Sequence, residues 1–364
     1  MAASPVEAEL VVVGGGLLGL AAARSLSRRG REVVVLEAAA VGHERSGSKG
    51  TARIFRYGYE DPFYVRMAMA AEPLWAELER ESGTTLLVRT GQLDFGAGIA
   101  ELHDALRACG APVGRLPGAE VERRFPSLGR RPALEEPASG VLIADRCLAA
   151  LRQGVEVQEG WEVTALAVER SPTGAGERVL VRASGPGGER RYRAACAVVC
   201  AGARTGDLLR PGVAVPPQRS TLEQVAYLEI DEALPVVIDR SEQLLYGLPD
   251  PVRQAYKAGL HHAGPEADPR SAGMAQDARL LAELRSAAGT TIPGWSGTLV
   301  ASERCLYDST ANEDFVLDRA GPVVVGCGTS GHGFKFGPLL GEHLAELATT
   351  GRLPDELARF RLSR

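Results

Sequence analysis

"AELVVVGGGLLGLAAARSLSRRGREVVVLEAAA", residues 8–40, reads as strand, glycine-rich turn, helix and second strand. Leu10 to Val13 form a short apolar run that ends on Gly14, Gly16 and Gly19, the GxGxxG spacing. In such a unit the first glycine permits the tight turn and the second lets backbone approach a pyrophosphate. The third lets the helix close on the strand. The helix N-terminus then meets phosphate with free N–H groups and the positive end of its dipole. Glu37 closes the second strand, where a carboxylate can accept ribose hydroxyls. The reading is a dinucleotide site, and this stretch alone does not separate FAD from NAD.

Composition bounds the rest. A chain of 364 residues exceeds what one core usually serves, so two domains are expected. A net charge of -5 argues against nucleic acid as a partner. The apolar run that ends at Arg24 is too short to span a membrane, and no secretory segment precedes it. Cys109, Cys147, Cys196, Cys200, Cys305 and Cys327 show no CxxC spacing and no Cys/His cluster, which points to a reduced, cytoplasmic setting without metal. Of 41 basic residues only Lys49, Lys257 and Lys335 are lysines. A solvated surface accepts arginine for lysine easily. A site needing a compact ammonium, or a pKa that burial can tune, does not. The three lysines are therefore candidates for function.

Further along, "ERSGSKGTARIFRYG" is a polar loop holding Lys49, Arg53 and Arg56. Met67, Ala70, Ala71, Leu74, Trp75 and Leu78 follow at helical spacing and read as core. Residues 90–139 read as short strands and helices, and three strand-like runs lead to a buried strand before Gly202. "GPVVVGCGTSGHGFKFGPLLGEHLAELATTG" is again buried strand, glycine-rich loop and helix. Dinucleotide-type pieces at both ends and in the middle imply an α/β fold, a Rossmann-type domain interleaved with a mixed-sheet α+β substrate domain. The expected division is 1–89, 140–215 and 300–364 against 90–139 and 216–299.

Four stretches carry a resemblance: "GSKGTARIFRYGYEDPFYVRMAMAAEPLWAELE", "YGLPDPVRQAYKAGLHH", "ERCLYDSTANEDFVLDR" and "GTSGHGFKFGPLLGE". Together they resemble the monomeric sarcosine oxidase and N-methyl amino acid oxidase family of FAD enzymes, in order, from about residue 9 to 350. The resemblance implies that Cys305, which by itself reads as a small buried hydrophobe, is joined through sulfur to the 8α-carbon of FAD. It implies that Lys257 lies near flavin N5 and activates O2, and that Arg56 and Lys335 bind a substrate carboxylate. Tyr246, Tyr307 and His261 take pocket positions, with His261 near the reacting amine. Lys49 and Arg53 fall beside the isoalloxazine. Gly202, Gly331, Gly333 and Phe334 fall in cofactor-contacting loops, with a helix dipole starting near Gly333. The family likeness implies a monomer acting on a small amino-acid-like substrate and O2.

Departures from the family pattern bear on the substrate. Leu248, Leu260 and Val237 stand where larger residues are common, and Lys49 where many relatives carry histidine. Smaller pocket residues would make room for substrates larger than sarcosine, and the expected substrate is a secondary amino acid, N-methyl or cyclic, oxidised to an imine with O2 reduced to hydrogen peroxide. Two other readings are an oxidase of a cyclic amine or imine in a biosynthetic pathway and a dinucleotide-binding electron-transfer subunit without oxidase activity. Lys257 and the carboxylate-binding cations speak against the last, because a pure binding module needs neither.

Overall fold

Valine-rich runs form the strands at the centre of the first of two compact units, Met1–Lys49, Leu148–Ser220 and Leu306–Arg364. The computed structural model describes residues 4–170, 176–271 and 273–362. Val6–Val13 lies between Val33–Glu37 and Gly188–Val199, parallel to both, and Val323–Cys327 extends the parallel set beyond Gly188–Val199. Val11, Val12, Val35, Val198, Val324 and Val325 are fully buried, as expected for parallel strands covered on both faces. An antiparallel meander, Glu162–Arg170 and Glu177–Gly185, leads into Gly188–Val199. The helices Leu17–Arg28 and Gly337–Thr350 pack against each other through bare backbone. A Cβ on Gly337 would lie 2.6 Å from the Leu17 side chain, and one on Gly341 would lie 2.5 Å from Ala21 backbone.

The second unit comprises Gly50–Cys147 and Thr221–Cys305. Its eight-stranded sheet runs Leu299–Ser309, Arg219–Leu228, Ala255–Leu260, Leu245–Asp250, Val236–Arg240, Gln92–Gly96, Ala133–Glu136, Gly114–Leu116. The sheet is mixed, because Val236–Arg240 pairs parallel to Gln92–Gly96 while its other neighbour is antiparallel. Period-two alternation gives its two faces different partners. Val237, Leu245, Tyr256, Ala258 and Leu260 point to a core shared with Leu284 and Ala288 of the helix Ala278–Thr291. Val236, Ile238 and Leu248 point the other way, onto Ala52 and Val141 of a small sheet formed by Ala52–Phe55, Gly140–Ile143 and Leu87–Arg89.

These units divide the chain differently from the sequence expectation at 50–89, 140–147, 216–220 and 300–305. The difference has a physical cause. Ala52–Phe55 and Leu87–Arg89 both pair with Gly140–Ile143, and Ala52 buries itself against Val236 and Leu248, so the polar loop's continuation belongs to the second core. Among the described residues no helix is long and apolar enough to cross a membrane, and all six cysteines are free thiols.

Candidate active site

In the first unit the glycine-rich turn is built by close approach. Gly14 has φ +101°, and a Cβ there would sit 2.4 Å from the Cys200 carbonyl oxygen. A Cβ on Gly19 would sit 1.9 Å from the Gly14 carbonyl, so the helix can begin against the strand only with glycine at both places. Glu37 is buried; its carboxylate accepts from Gly15 N at 2.6 Å and from Ala39 N at 3.0 Å. It thereby ties the end of the second strand to the turn. Gly16 caps the helix without a side-chain hydrogen bond, and Ser48 Oγ accepts from Leu17 N at 2.9 Å. Bare backbone, a helix N-terminus whose cap residue carries no side chain and an acid on the neighbouring strand fit the pyrophosphate and ribose of FAD. Gly202 follows Cys200, whose N–H donates to Val13 O, so it too stands at this end of the sheet.

The second glycine-rich loop lies in the same unit. Gly331 has φ +74°, and a Cβ there would fall 2.1 Å from the Tyr307 ring, so the ring covers the bare glycine. Asp308, buried next to Tyr307, accepts from Gly328 N at 2.9 Å and from Thr329 Oγ1 at 2.8 Å. That carboxylate fixes the loop on which Gly333, Phe334 and Lys335 stand. The helix expected to start near Gly333 begins instead with a 3-10 turn, Phe334–Phe336, and the α-helix proper starts at Gly337. Pro338 in the first turn suits that start, since its missing N–H has no helical partner there. Lys335 is buried, and its Nζ donates to His332 O at 2.8 Å.

The second unit collects the other chemistry on one sheet face. Lys257 and Gly259 alternate along their strand and point away from the Tyr256, Ala258 and Leu260 core; His261 stands in the turn just beyond it, its N–H donating to Leu244 O at 2.9 Å. Leu248 and Tyr227 are the cross-strand neighbours of Lys257, and Tyr246 that of Gly259. Glycine there leaves room for the neighbouring ring: a Cβ on Gly259 would meet the Tyr246 hydroxyl at 2.4 Å. Lys257 is buried and donates to Ala52 O at 3.2 Å. Burial, and then the Arg53 charge, pull its ammonium down to about 7, while Cys305, Asp250 and Glu303 act in the opposite direction. Arg253 bonds Glu303 and lies 4.3 Å over the Tyr227 ring, and Tyr227 OH donates to Glu303 at 3.2 Å. Asp250 accepts from Thr51 Oγ1, Val252 N and Arg253 N. Cys305 is half-buried on the edge strand, two residues from Glu303 and therefore on its face. Arg56 lies just beyond the strand Ala52–Phe55; its guanidinium bonds the Gly58 carbonyl and lies 4.7 Å over the Tyr59 ring.

The first unit thus holds Gly14, Gly16, Gly19, Glu37, Lys49, Gly202, Tyr307, Gly331, Gly333, Phe334 and Lys335. The second brings Arg53, Lys257 and Cys305 within electrostatic reach of one another and carries Arg56, Tyr246 and His261. One expectation is corrected. Val237 and Leu260 do not open a pocket, because the pleat turns them to the face packed on helix Ala278–Thr291; of the three departures only Leu248 shares the Lys257 face. Sequence reading missed Ser48, Asp308 and the Gly337/Gly341 pair, although the GxxxG spacing in "GPLLG" carried a legible signal for the last.

A Rossmann-type unit with this turn, together with a mixed sheet bearing a buried lysine, defines a flavin-type oxidoreductase. The FAD dependent oxidoreductase family model matches residues 9–347, and the chain belongs to that family. It is 30% identical over 380 residues to monomeric sarcosine oxidase of Bacillus sp. (strain B-0618), covering 98% of this chain and 96% of that one. Identity to the N-methyl-L-tryptophan oxidase of Yersinia pestis (strain Pestoides F) is 28% over 377 residues, covering 98% and 99%. Among solved structures, NikD, described as an unusual amino acid oxidase essential for nikkomycin biosynthesis, superposes with a TM-score of 0.83 at 25% identity, covering 98% of both chains.

Proposed function

We propose that this protein oxidises the carbon–nitrogen bond of a secondary amino acid, N-methyl or cyclic, to an imine, with O2 reduced to hydrogen peroxide. The observation that carries the reading is Lys257. A buried ammonium held at about 7 by burial and by Arg53 has no purpose in a binding module, and its cost to the fold calls for a function. Bound FAD supplies the acceptor for the two electrons and the hydrogen leaving the carbon next to nitrogen. Lys257 provides positive charge where negative charge develops during oxygen reduction. Arg56 binds the substrate carboxylate through its guanidinium fork, and Lys335 serves as a second cation for the same anion. Tyr246, Tyr307 and His261 line the substrate, with His261 oriented to the amine. Arg53 and Lys49 add positive charge for the cofactor, and Cys305 carries FAD through a thioether. The relatives that act on sarcosine and N-methyl-L-tryptophan support a substrate of this class. The likeness to NikD favours a second reading, a cyclic amine or imine made in a biosynthetic pathway.

A peroxide-coupled screen of N-alkyl and cyclic amino acids, each beside its uncharged amine analogue, tests the proposal. Carboxylates turning over well and their neutral analogues poorly is the expected result. Equal turnover of both refutes the amino-acid reading and leaves the pathway amine.

A further inference from the structure

The sheet face that carries Lys257 also holds, three and four strands away, a buried polar cluster with no place in the chemistry above. Glu136, Gln92 and Asp94 are all 0% exposed. The register Gln92↔Glu136, with Val236↔Gln92 and Ile238↔Asp94, puts all three on the same side as Val236 and Ile238. Gln92 Nε2 bridges Asp94 Oδ2 at 2.6 Å and Glu136 Oε1 at 2.9 Å. Asp94 Oδ1 accepts from Arg240 at 2.6 Å. Glu136 Oε2 accepts from Tyr57 N at 3.2 Å, Gly58 N at 2.9 Å and Ser139 Oγ at 3.1 Å.

Those two backbone groups belong to the turn immediately after Arg56, and Gly58 is the residue whose carbonyl receives the Arg56 guanidinium. A Cβ on Gly58 would sit 2.1 Å from Glu136 Oε1, so the turn is shaped to admit the carboxyl. The Tyr57 hydroxyl donates to Glu72, which in turn accepts from Arg89. We propose that Glu136 is a positioning residue for Arg56, acting through the Tyr57–Gly58 backbone, and that the Glu136–Asp94 carboxyl pair makes carboxylate binding by Arg56 dependent on pH. The inference rests on the assignment of Arg56 to the substrate carboxylate.

The charged groups facing the pair are Arg240 from the strand Val236–Arg240 and Arg56 from the turn, with Glu72 and Arg89 beyond Tyr57. Burial, and then the Asp94 charge, push Glu136 up to about 8. Below that pH Glu136 is protonated, Arg240 stays bonded to Asp94, and Arg56 stays available to an external anion. Above it Glu136 ionises, and a second buried charge draws Arg56 inward, in competition with the ligand.

Acetate binding to the holoprotein, followed by calorimetry from pH 6.5 to 9.5, tests this. The parent protein should lose at least about tenfold in affinity above pH 8, by the pKa logic of a like-charged buried pair. Glu136→Gln, which keeps the oxygen acceptor but cannot ionise, should bind acetate at pH 6.5 within about threefold of the parent and lose the fall above pH 8. Glu136→Ala, which strips both N–H groups of their acceptor, should weaken acetate at pH 6.5 at least about tenfold. Arg56→Ala is measured alongside. If it leaves acetate affinity unchanged, the assignment of Arg56 itself fails. If it weakens acetate while Glu136→Gln keeps the parent's pH profile, only the present inference is overturned.

Discussion

Replacing Lys257 by methionine should make the flavin-free protein more stable at neutral pH. Lys257 is 6% exposed, and its pKa falls from 10.5 to about 7 in the folded chain. At about 1.4 kcal/mol per pKa unit, burying this ammonium costs on the order of 4 kcal/mol at pH 7. Methionine has nearly the same shape and no charge. It leaves the Ala52 carbonyl without its donor, which costs about 1–3 kcal/mol. The net gain is therefore about 1–3 kcal/mol, or several degrees of melting temperature for a unit of about 180 residues. The pH dependence identifies the cause. Between pH 7 and 10.5 the unfolded chain binds a proton that the folded chain does not, so the parent's stability rises with pH across that window. Above it the lysine is neutral in both states. The advantage of methionine should thus be largest at and below pH 7 and shrink as pH rises towards 10.5. Thermal melts of both proteins, made in riboflavin-starved cells, read this directly. A methionine variant that is less stable at pH 7, or an advantage that ignores pH, would refute the reasoning.

Three further outcomes follow from the same geometry. In the holoprotein Lys257→Met should slow the oxygen-dependent phase at least about tenfold, roughly 1.4 kcal/mol of barrier, with a smaller effect on anaerobic turnover of substrate; stopped-flow spectroscopy separates the two. Acid precipitation should leave the yellow colour in the pellet of the parent protein and release it from Cys305→Ala, and colour extracted freely from the parent removes the covalent link while leaving FAD binding intact. Gly259→Ala should shift the Tyr246 ring, whose hydroxyl stands 2.4 Å from the new Cβ, changing KM at least about threefold while the melting temperature moves by less than about 4 °C, because the atoms displaced are the far end of one side chain.

Legibility in the sequence followed the range of the interactions. The glycine-rich turn could be read because each glycine answers a local need: φ at Gly14, and the Gly19–Gly14 approach within one turn of helix. Period-two alternation puts Lys257 and Gly259 on one face of the strand Ala255–Leu260. What could not be read was which face of the neighbouring strand met them. Val237 and Leu248 lie on adjacent strands and look equivalent in the text, yet register sends one to the helix-covered core and the other beside Lys257. The unit boundary at Lys49–Gly50 was hidden for the same reason, because the pairing of Ala52–Phe55 with Gly140–Ile143 spans some ninety residues of sequence. Glu136 gave no signal at all, since a glutamate at a strand end, here beside Glu135, is usually a solvated one.

The scarcity of lysine nevertheless reached the site without any of that topology, and the structure supplies the reason for two of the three. Lys257 and Lys335 are 6% and 4% exposed, and each spends its ammonium on a backbone carbonyl inside its own unit. A guanidinium in either place is planar, bulkier than an ammonium and carries five donors, so its burial there would demand more space and more acceptors. It would also remain charged at every accessible pH, whereas Lys257 sits near its own titration point at neutrality. A drift that converted nearly every other basic residue to arginine would therefore have stopped at these positions on physical grounds. Lys49 stands apart, half-buried in a polar loop. If compact charge is what the site requires there too, Lys49→Arg should lower kcat/KM at least about threefold without moving the melting temperature, whereas a merely solvated lysine would leave both unchanged.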